Sequence, residues 1–225
     1  FSENASKIAR WLHSANGYAR LEDSYDPEVF RMAYYRDEGE MDNAYDQATA
    51  FQAVFSCKPQ KYLKSGEEEL TLSLANSHTS SNDPTIPWED AVYIGEINNP
   101  TDFESNPKID FNFGFGSTAF IDVMYLAIRL IAEDGTEQRI VYKPIKINNE
   151  YVTSGTIDTE LMDCYTIQNG VIKYINQGVS LLNSKFPTLK HGKTTIKALL
   201  NHAASHPVGE TCTCSLKLTP RWWKL

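Results

Sequence analysis

The stretch that decides the fold class is TAFIDVMYLAIRLIAEDGTEQRIVYKPIKI, residues 118–147. Two runs within it are rich in Ile, Leu, Val and Tyr, and they predict strands over 118–131 and 138–147. Between these runs stands Glu133-Asp134-Gly135-Thr136, where Asp-Gly suits a turn that needs positive φ. The stretch therefore predicts two strands separated by a tight turn.

The same pattern of short strands and turns extends from Leu70 to Thr219. Asn148-Asn149 and Gln168-Asn169-Gly170 separate further apolar runs, and none of these runs has long helical spacing. Many short strands at this spacing are typical of a β-sandwich, so we expect a mainly β fold. The other predicted strands cover 70–74, 91–97, 108–115, 151–158, 163–167, 171–175, 193–200 and 212–219, with a short helix or a loop over 201–208.

The N-terminal part carries a different, α+β pattern. Ile8, Trp11, Leu12 and Ala15 fall at helical spacing and predict an amphipathic helix over 4–15. Strands are predicted over 29–36 and 50–57, joined by an acidic, solvated hairpin loop over 37–46. We therefore expect a helix followed by a β-hairpin.

A change in composition marks the boundary between these two parts. Lys64-Ser65-Gly66-Glu67 is polar and predicts a flexible linker, and residues 77–87 are rich in Ser, Asn, Asp and Pro. We predict two domains, residues 1–63 and 64–225. Because the chain starts at Phe1 rather than Met, we expect it to be a fragment, a processed product or a chain whose start is missing.

Composition excludes several classes of protein. The chain has 225 residues and a formal net charge of -8, which argues against nonspecific binding to nucleic acid. It contains neither a signal-peptide pattern nor a run of eighteen apolar residues, so we expect no membrane insertion. Four cysteines are too sparse for a disulfide framework, and we expect thiols in a reducing cytosol.

The best metal candidate is the set His202, His206, Cys212 and Cys214. Two histidines four residues apart and a Cys-x-Cys pair could form a tetrahedral zinc site. Pro207 disfavours helix at His206, however, and Cys-x-Cys is a less usual zinc spacing than Cys-x2-Cys. The alternative is a pair of loop histidines beside a strand with small buried thiols. We predict no metal and no other cofactor.

No pattern of catalytic residues stands out, and we predict that the chain is not an enzyme. Phe113-Gly114-Phe115-Gly116 begins like a phosphate loop but lacks the Lys-Ser/Thr that completes one, so we expect a glycine turn between strands. There is no Gly-x-Ser-x-Gly elbow. The acidic residues of 37–46 lack the order of a calcium loop. Other carboxylates, including Glu67–Glu69, Asp102 and Glu104, have no spacing that identifies a catalytic pair.

Aromatic residues raise a second hypothesis, a carbohydrate-binding module. Sugars bind over exposed aromatic faces that are flanked by polar groups, although most aromatics in a β-sandwich pack within the fold. The candidates are Trp88, Tyr93, Tyr125, Tyr142, Tyr151, Tyr165 and Tyr174. By contrast, we expect the final segment, Pro220-Arg221-Trp222-Trp223-Lys224-Leu225, to pack against the fold, because two adjacent tryptophans bury much apolar surface when docked.

Four segments, taken in order, resemble the siphophage distal tail protein family. They are Ile8–Leu12 with Gly17–Asp23 and Tyr25–Glu28; Phe51–Leu63; Asn98–Thr101 with Pro107–Ile109; and Ile157-Asp158 through Phe186-Pro187, Gly192 and Pro220–Trp223. Their order and spacing match over nearly the whole chain.

The resemblance implies a structural protein of the virion that is made in the bacterial host cytoplasm. Residues 1–63 resemble the later half of a domain that forms a hexameric ring at the tail tip, and residues 64–225 resemble a galectin-like β-sandwich. Implied partners are other copies of the chain, the tail tube, tail-associated proteins and receptor-binding proteins, with host glycans as partners of the alternative module. The family's first strands are absent here, so we expect this fragment to assemble less well than the full-length protein.

Overall fold

A computed structural model of the chain describes residues 2–15, 17–36, 40–44, 47–75, 92–115, 125–182, 185–201 and 212–225. The chain divides into two compact units. The first unit comprises Phe1–Ser65 together with Trp223–Leu225, and the second comprises Gly66–Trp222. The described residues form one α-helix and otherwise strands, short 3₁₀ turns and loops, so the predicted mainly β fold class is confirmed.

The first unit contains the helix and two antiparallel sheets. Its elements are α1 (Ser2–Leu12), β1 (Ala19–Leu21), β2 (Val29–Tyr35), β3 (Glu40–Ala44), β4 (Gln47–Gln52), β5 (Phe55–Leu63) and β19 (Trp223–Lys224). The larger sheet has the strand order β1-β2-β5-β19, and β3 pairs only with β4. Phe30 and Tyr62 lie opposite each other in β2 and β5, and their stacked rings, 5.4 Å apart, form part of the core.

Helix α1 ends at Leu12 rather than at the predicted Ala15. The Trp11 carbonyl accepts hydrogen bonds from both the backbone N–H and the hydroxyl of Ser14, at 3.1 and 2.7 Å. These bonds close the last turn locally, as Ser side chains commonly do near helix ends. Of the predicted apolar stripe, Leu12 is buried, whereas Ile8 and Trp11 are exposed.

The hairpin region differs from the prediction. Strand β2 pairs with β5 over Val29–Leu63 to Tyr35–Phe55, so the predicted return strand 50–57 in fact covers the end of β4 and the start of β5. The acidic stretch predicted as a loop contains β3, which pairs with β4 from Glu40–Gln52 onward. Acidic composition predicts exposure, but ladder hydrogen bonds use backbone groups and do not depend on it.

The second unit consists of two large antiparallel sheets and one small one. Their orders are β16-β10-β9-β17-β7, β15-β14-β13-β8-β18-β6 and β11-β12. The strands are β6 (Leu70–Ala75), β7 (Val92–Asn99), β8 (Lys108–Phe115), β9 (Tyr125–Ala132), β10 (Glu137–Tyr142), β11 (Lys146–Ile147), β12 (Glu150–Tyr151), β13 (Ser154–Asp158), β14 (Asp163–Gln168), β15 (Val171–Tyr174), β16 (Val179–Leu181), β17 (Gly192–Asn201) and β18 (Cys212–Thr219).

The core of the second unit draws on both large sheets. In β18, Cys214, Leu216 and Leu218 are buried and alternate with less buried residues, as expected for a strand with one buried face. Phe111 of β8 lies 4.4 Å, ring centre to ring centre, from Tyr142 of β10. The Tyr142 hydroxyl donates a 2.9 Å hydrogen bond to the Val152 carbonyl, which satisfies a group that would otherwise be costly to bury.

The central strand of the five-stranded sheet is buried on both faces. Leu126, Ile128 and Leu130 lie on the face that includes Tyr142, while Tyr125 and Ala127 lie on the opposite face. The second face forms a buried cluster with Val141 and Leu199. This explains why residues 125–128 read as continuously apolar rather than alternating.

The predicted turn residues adopt the expected backbone. Asn169 and Gly170 have φ of 52° and 76°, and Gly135 has φ of 80°. Asn148 and Asn149 also have positive φ, at 52° and 68°. Asn148-Asn149 and Asn169-Gly170 thus have the two consecutive positive φ values of a type I′ hairpin turn, whereas Gly135 alone has positive φ in its turn.

The C-terminal segment joins both units. Pro220 and Trp222 are buried in the second unit, whereas Trp223 pairs with Tyr62 in the sheet of the first unit. The sequence had placed all of 64–225 in the second domain, so the structure reassigns Trp223–Leu225. The predicted flexible linker at Lys64–Glu67 is a 3₁₀ helix with Gly66 buried, because the Gly66 carbonyl accepts a 2.7 Å hydrogen bond from the Arg221 N–H.

Candidate functional site

Only part of the zinc candidate falls within the described residues. Cys214 is a buried thiol on β18. His202, His206 and the side chain of Cys212 lie outside what the structure describes. Within the described ranges, no group of three His, Cys, Asp or Glu side chains could hold a metal ion. Cys164, also buried, has its pKa raised to about 12 by burial and by the nearby Asp163 and Asp158 charges.

The glycine-rich segment lies within a strand. Phe113 and Gly114 continue β8 up to Phe115 and pair with Cys214 and Thr213 of β18. The predicted turn is therefore wrong for Gly114, while Gly116 lies outside the described residues. A glycine inside a strand allows close approach of a neighbouring group, and here a Cβ on Gly114 would lie 2.6 Å from the Thr213 hydroxyl oxygen.

The candidate carboxylates are spread over the surface. Glu69 pairs with Lys217 at 2.9 Å, Glu67 lies in the 3₁₀ turn, and Asp102 is exposed. Of the acidic residues in 37–46, Asp37, Glu38 and Asp46 lie outside the described residues. For Glu40 and Asp42, only the backbone is described. Among the described side chains, no group of three or more Asp or Glu residues is placed to hold a metal ion.

The aromatic residues proposed as sugar contacts fall into three groups. Tyr125 and Tyr142 are buried in the core, whereas Tyr93 and Tyr174 are exposed. Burial raises the pKa of Tyr142, and this ring is no ligand platform. Tyr165 lies opposite Tyr174 on β14 and β15, Tyr151 lies under Lys146, and Trp88 lies outside the described residues.

A different group of apolar side chains is the best candidate for a functional surface. We call Ile8, Trp11, Tyr18 and Tyr34 of the first unit the aromatic surface. Their exposed fractions are 37%, 62%, 48% and 39%. Exposed apolar patches larger than usual mark sites of protein interaction.

Local packing positions this surface. Trp11 and Tyr34 both line a shallow cavity of about 90 Å³ beside α1 and β2. Tyr34 makes an edge-to-face contact with Tyr18, with ring centres 5.2 Å apart. Behind it, His13 contacts Tyr35 in the same geometry at 5.3 Å. Aromatic pairs of this kind fix ring orientation, so the exposed rings are held rather than free to collapse onto the unit.

Next to the aromatic surface, the sheet has an open edge. Strand β19 pairs only with Lys61 and Tyr62 of β5. Among the described strands, residues 55–57 pair with β2 alone, and residues 58–60 lie where the pairing with β2 is irregular. Pro59 lies in this open part, consistent with its lack of a backbone donor. An open edge of this kind can accept a strand from a partner.

Basic side chains accompany the open edge. Lys58 lies over the Tyr18 ring, 5.8 Å from its centre, and Lys61 lies in the same strand. Lys64 forms an ion pair with Glu22 at 2.5 Å. Hydrogen bonds from Lys64 and Arg20 lower the pKa of the exposed Glu22 carboxyl. The aromatic surface is thus apolar, and the charged side chains of strand β5 beside it are basic.

Sequence reasoning found only half of this surface. The helical spacing predicted the apolar stripe containing Ile8 and Trp11. Tyr18 lies in a loop and Tyr34 in a strand, and no periodicity links them to the helix. Only the fold brings them together.

Comparison with known proteins adds no assignment: no family model, no curated protein and no solved structure matches the chain. Within the described part of the chain, no helix is both long and apolar enough to cross a membrane.

Proposed function

We propose that the chain is a structural component of a phage tail tip, where it joins the tail tube to the host-adsorption apparatus. In this proposal, copies of the first unit assemble side by side into a closed ring, with six copies as the family resemblance implies. The observation that carries the proposal is the aromatic surface, a set of large side chains held in place yet exposed in the single chain.

Burial of the aromatic surface against a neighbour is energetically reasonable. Trp11 is 62% exposed, and covering a Trp side chain is among the largest single contributions to interface stability. Tyr and Trp are also the residues enriched in interface cores. A surface built around Trp11, Tyr18 and Tyr34 therefore fits a protein partner better than it fits water.

The charge distribution favours head-to-tail assembly. Residues 37–46 include five acidic side chains, at Asp37, Glu38, Glu40, Asp42 and Asp46. Strand β5 carries Lys58 and Lys61. Opposite charges on two different parts of one subunit suit a heterologous interface, which closes into a ring or continues as a filament.

For the second unit we propose a galectin-like β-sandwich. The contact between Phe111 and Tyr142 supports a face-to-face arrangement of the two large sheets, because the two rings belong to different sheets. Gly95 of β7 supports it as well, since a Cβ there would lie 2.7 Å from Leu72 of β6. Such a unit can present sites to receptor-binding proteins or to the host surface.

The mass of the particle in solution tests the assembly proposal. Light scattering would be measured on the chain over a range of concentrations. We expect a closed oligomer whose mass is a whole multiple of the subunit mass. A chain that stays monomeric at high concentration and binds no other tail protein would contradict the proposal.

Trp11→Ala is expected to weaken assembly strongly while leaving the fold intact. A central interface Trp typically contributes about 2 kcal/mol or more, which is roughly a thirtyfold loss of affinity at each interface. Tyr25→Ala is the matched control, because Tyr25 is a 97% exposed aromatic residue of the same unit outside the aromatic surface. Sedimentation velocity measures the assembly of both variants. Equal weakening of assembly by Trp11→Ala and Tyr25→Ala would argue against this interface.

A further inference from the structure

The second unit contains a polar cavity of about 320 Å³. Its lining combines apolar side chains with hydrogen-bonding groups from separate segments of the chain. Representative lining residues are Glu104, Gln138, Leu182, Phe186, Thr188 and Lys190. Its volume is near the lower end of the range for ligand sites, about 300–1,000 Å³, so it suits one small ring rather than a long oligomer.

The wall of the cavity that holds Thr188 and Lys190 is anchored to the core through Leu189. Leu189 is fully buried, and its backbone exchanges two hydrogen bonds with Ser105, at 3.0 and 2.9 Å. The Asn99 amide donates a further 3.0 Å bond to the Leu189 carbonyl. Because neighbouring residues of an extended segment point to opposite sides, burial of Leu189 directs Thr188 and Lys190 into the cavity.

Hydrogen bonds hold the polar groups of the cavity in fixed positions. The Thr188 N–H donates to the Gln138 side-chain oxygen at 2.6 Å, and the Thr188 hydroxyl donates to Glu104 at 2.8 Å. Lys190 donates to Asp134 and to the Thr136 hydroxyl at 2.8 and 3.0 Å. The site is therefore organised before any ligand arrives, which lowers the cost of binding.

The four charged side chains that line the cavity balance. Glu104 and Glu137 carry negative charge, while Lys185 and Lys190 carry positive charge. Glu137 forms ion pairs with Arg129 and Arg139, and Lys190 forms one with Asp134. A balanced site that offers carboxylate, amide, hydroxyl and ammonium groups matches a neutral ligand with many hydroxyls better than it matches an anion or a cation.

We propose that this cavity binds a single neutral sugar unit. The carboxylate of Glu104 and the amide of Gln138 accept hydrogen bonds from sugar hydroxyls, and the amide and Lys190 donate to sugar oxygens. Phe186 and Leu182 supply the apolar wall for the less polar face of the ring. None of the tyrosines suggested above as sugar contacts lines this cavity. Sugar binding here does not depend on the assembly proposal.

The test is an NMR titration of the whole chain with the methyl glycosides of glucose, galactose, mannose and N-acetylglucosamine. A single sugar unit is expected to bind with a Kd on the order of 1 mM. Binding by at least one glycoside should shift the backbone amide signals of Thr188 and Gln138 while leaving those of the first unit unchanged. No shift at the cavity with any of the four would overturn the proposal.

Substitutions of cavity residues test whether the sugar binds in this cavity. Glu104→Gln and Thr188→Val are each expected to weaken binding about tenfold. The first replaces the carboxylate that accepts from the sugar hydroxyls, and the second removes the hydroxyl that holds Glu104 in position. Glu69→Gln is the matched control, since Glu69 is also an exposed glutamate with one donor partner, Lys217 at 2.9 Å. An unchanged amide spectrum away from the cavity shows that a variant is folded. Equal affinity of the wild type and both cavity variants would place the sugar elsewhere and overturn the proposal.

Discussion

Asp158→Ala is expected to lower the free energy of unfolding of the second unit by about 3 to 5 kcal/mol, the usual cost of breaking a buried ion pair. Asp158 is 2% exposed and receives two 2.7 Å hydrogen bonds from the Arg221 guanidinium. It also accepts the N–H groups of Glu160 and Leu161 at 3.1 Å. Alanine would leave Arg221 and these donors without their acceptor. The change in denaturant midpoint measures the effect.

Glu160→Ala is the control for this substitution. Glu160 lies 3.5 Å from the same guanidinium, but its side chain is more exposed, so its loss should cost about 1 kcal/mol or less. A destabilisation by Asp158→Ala no larger than that of Glu160→Ala would contradict the importance assigned to the buried pair.

The ion pair between Asp158 and Arg221 makes the free energy of unfolding depend on pH. Burial by itself raises the pKa of Asp158, but the bond to Arg221 and the backbone N–H groups outweigh burial and lower it. A lowered folded-state pKa contributes stability that is present above the unfolded pKa, about 3.9, and is lost as the pH falls through the folded value. The wild type should therefore lose part of its stability below about pH 4, and Asp158→Ala should lose less there.

Gly66→Ala is the second substitution with a large expected effect. A Cβ at this position would lie 2.3 Å from the Trp222 backbone nitrogen and 3.1 Å from the Arg221 carbonyl carbon. Backbone atoms cannot rotate away as a side chain can, and the hydrogen bond from Arg221 to the Gly66 carbonyl holds the two segments together. We expect a loss of about 3 kcal/mol or more in the free energy of unfolding.

Gly114→Ala is a suitable comparison for Gly66→Ala. Its Cβ would also be close to a neighbour, but that neighbour is the Thr213 hydroxyl, which can change rotamer at a cost of about 1 kcal/mol. Thermal unfolding of both variants gives the difference. If Gly114→Ala were as destabilising as Gly66→Ala, the backbone contact at Gly66 would not be the cause.

Most of the second unit could be predicted from the sequence because its strands are long enough to show a pattern. The prediction of 212–219 matches β18 residue for residue, and the Asn-Gly turn after β14 has the predicted backbone. Strands β1, β16 and β19 were missed. They have three, three and two residues, which is too short for a period of two to be distinguished from chance.

The candidate sites were harder to predict than the fold. The apolar stripe containing Trp11 could be predicted from helical spacing, whereas its meeting with Tyr18 and Tyr34 could not. Glu104, Gln138 and Thr188 are separated by 34 and 50 residues, and no local motif connects them. Their meeting depends on the bridge between Ser105 and Leu189, a tertiary contact without a periodic signal.

The position of β19 has a consequence for biosynthesis. Strand β5 must wait for its partner Trp223 until the whole of the second unit has been translated, since residues 66–222 lie between them in the chain. Domains usually fold in order from the N-terminus as the ribosome proceeds. For β19 this order is reversed, because the N-terminal unit gains this strand only after the second unit has emerged from the ribosome. Until then, Lys61 and Tyr62 lack β19, the strand with which they pair in the folded chain.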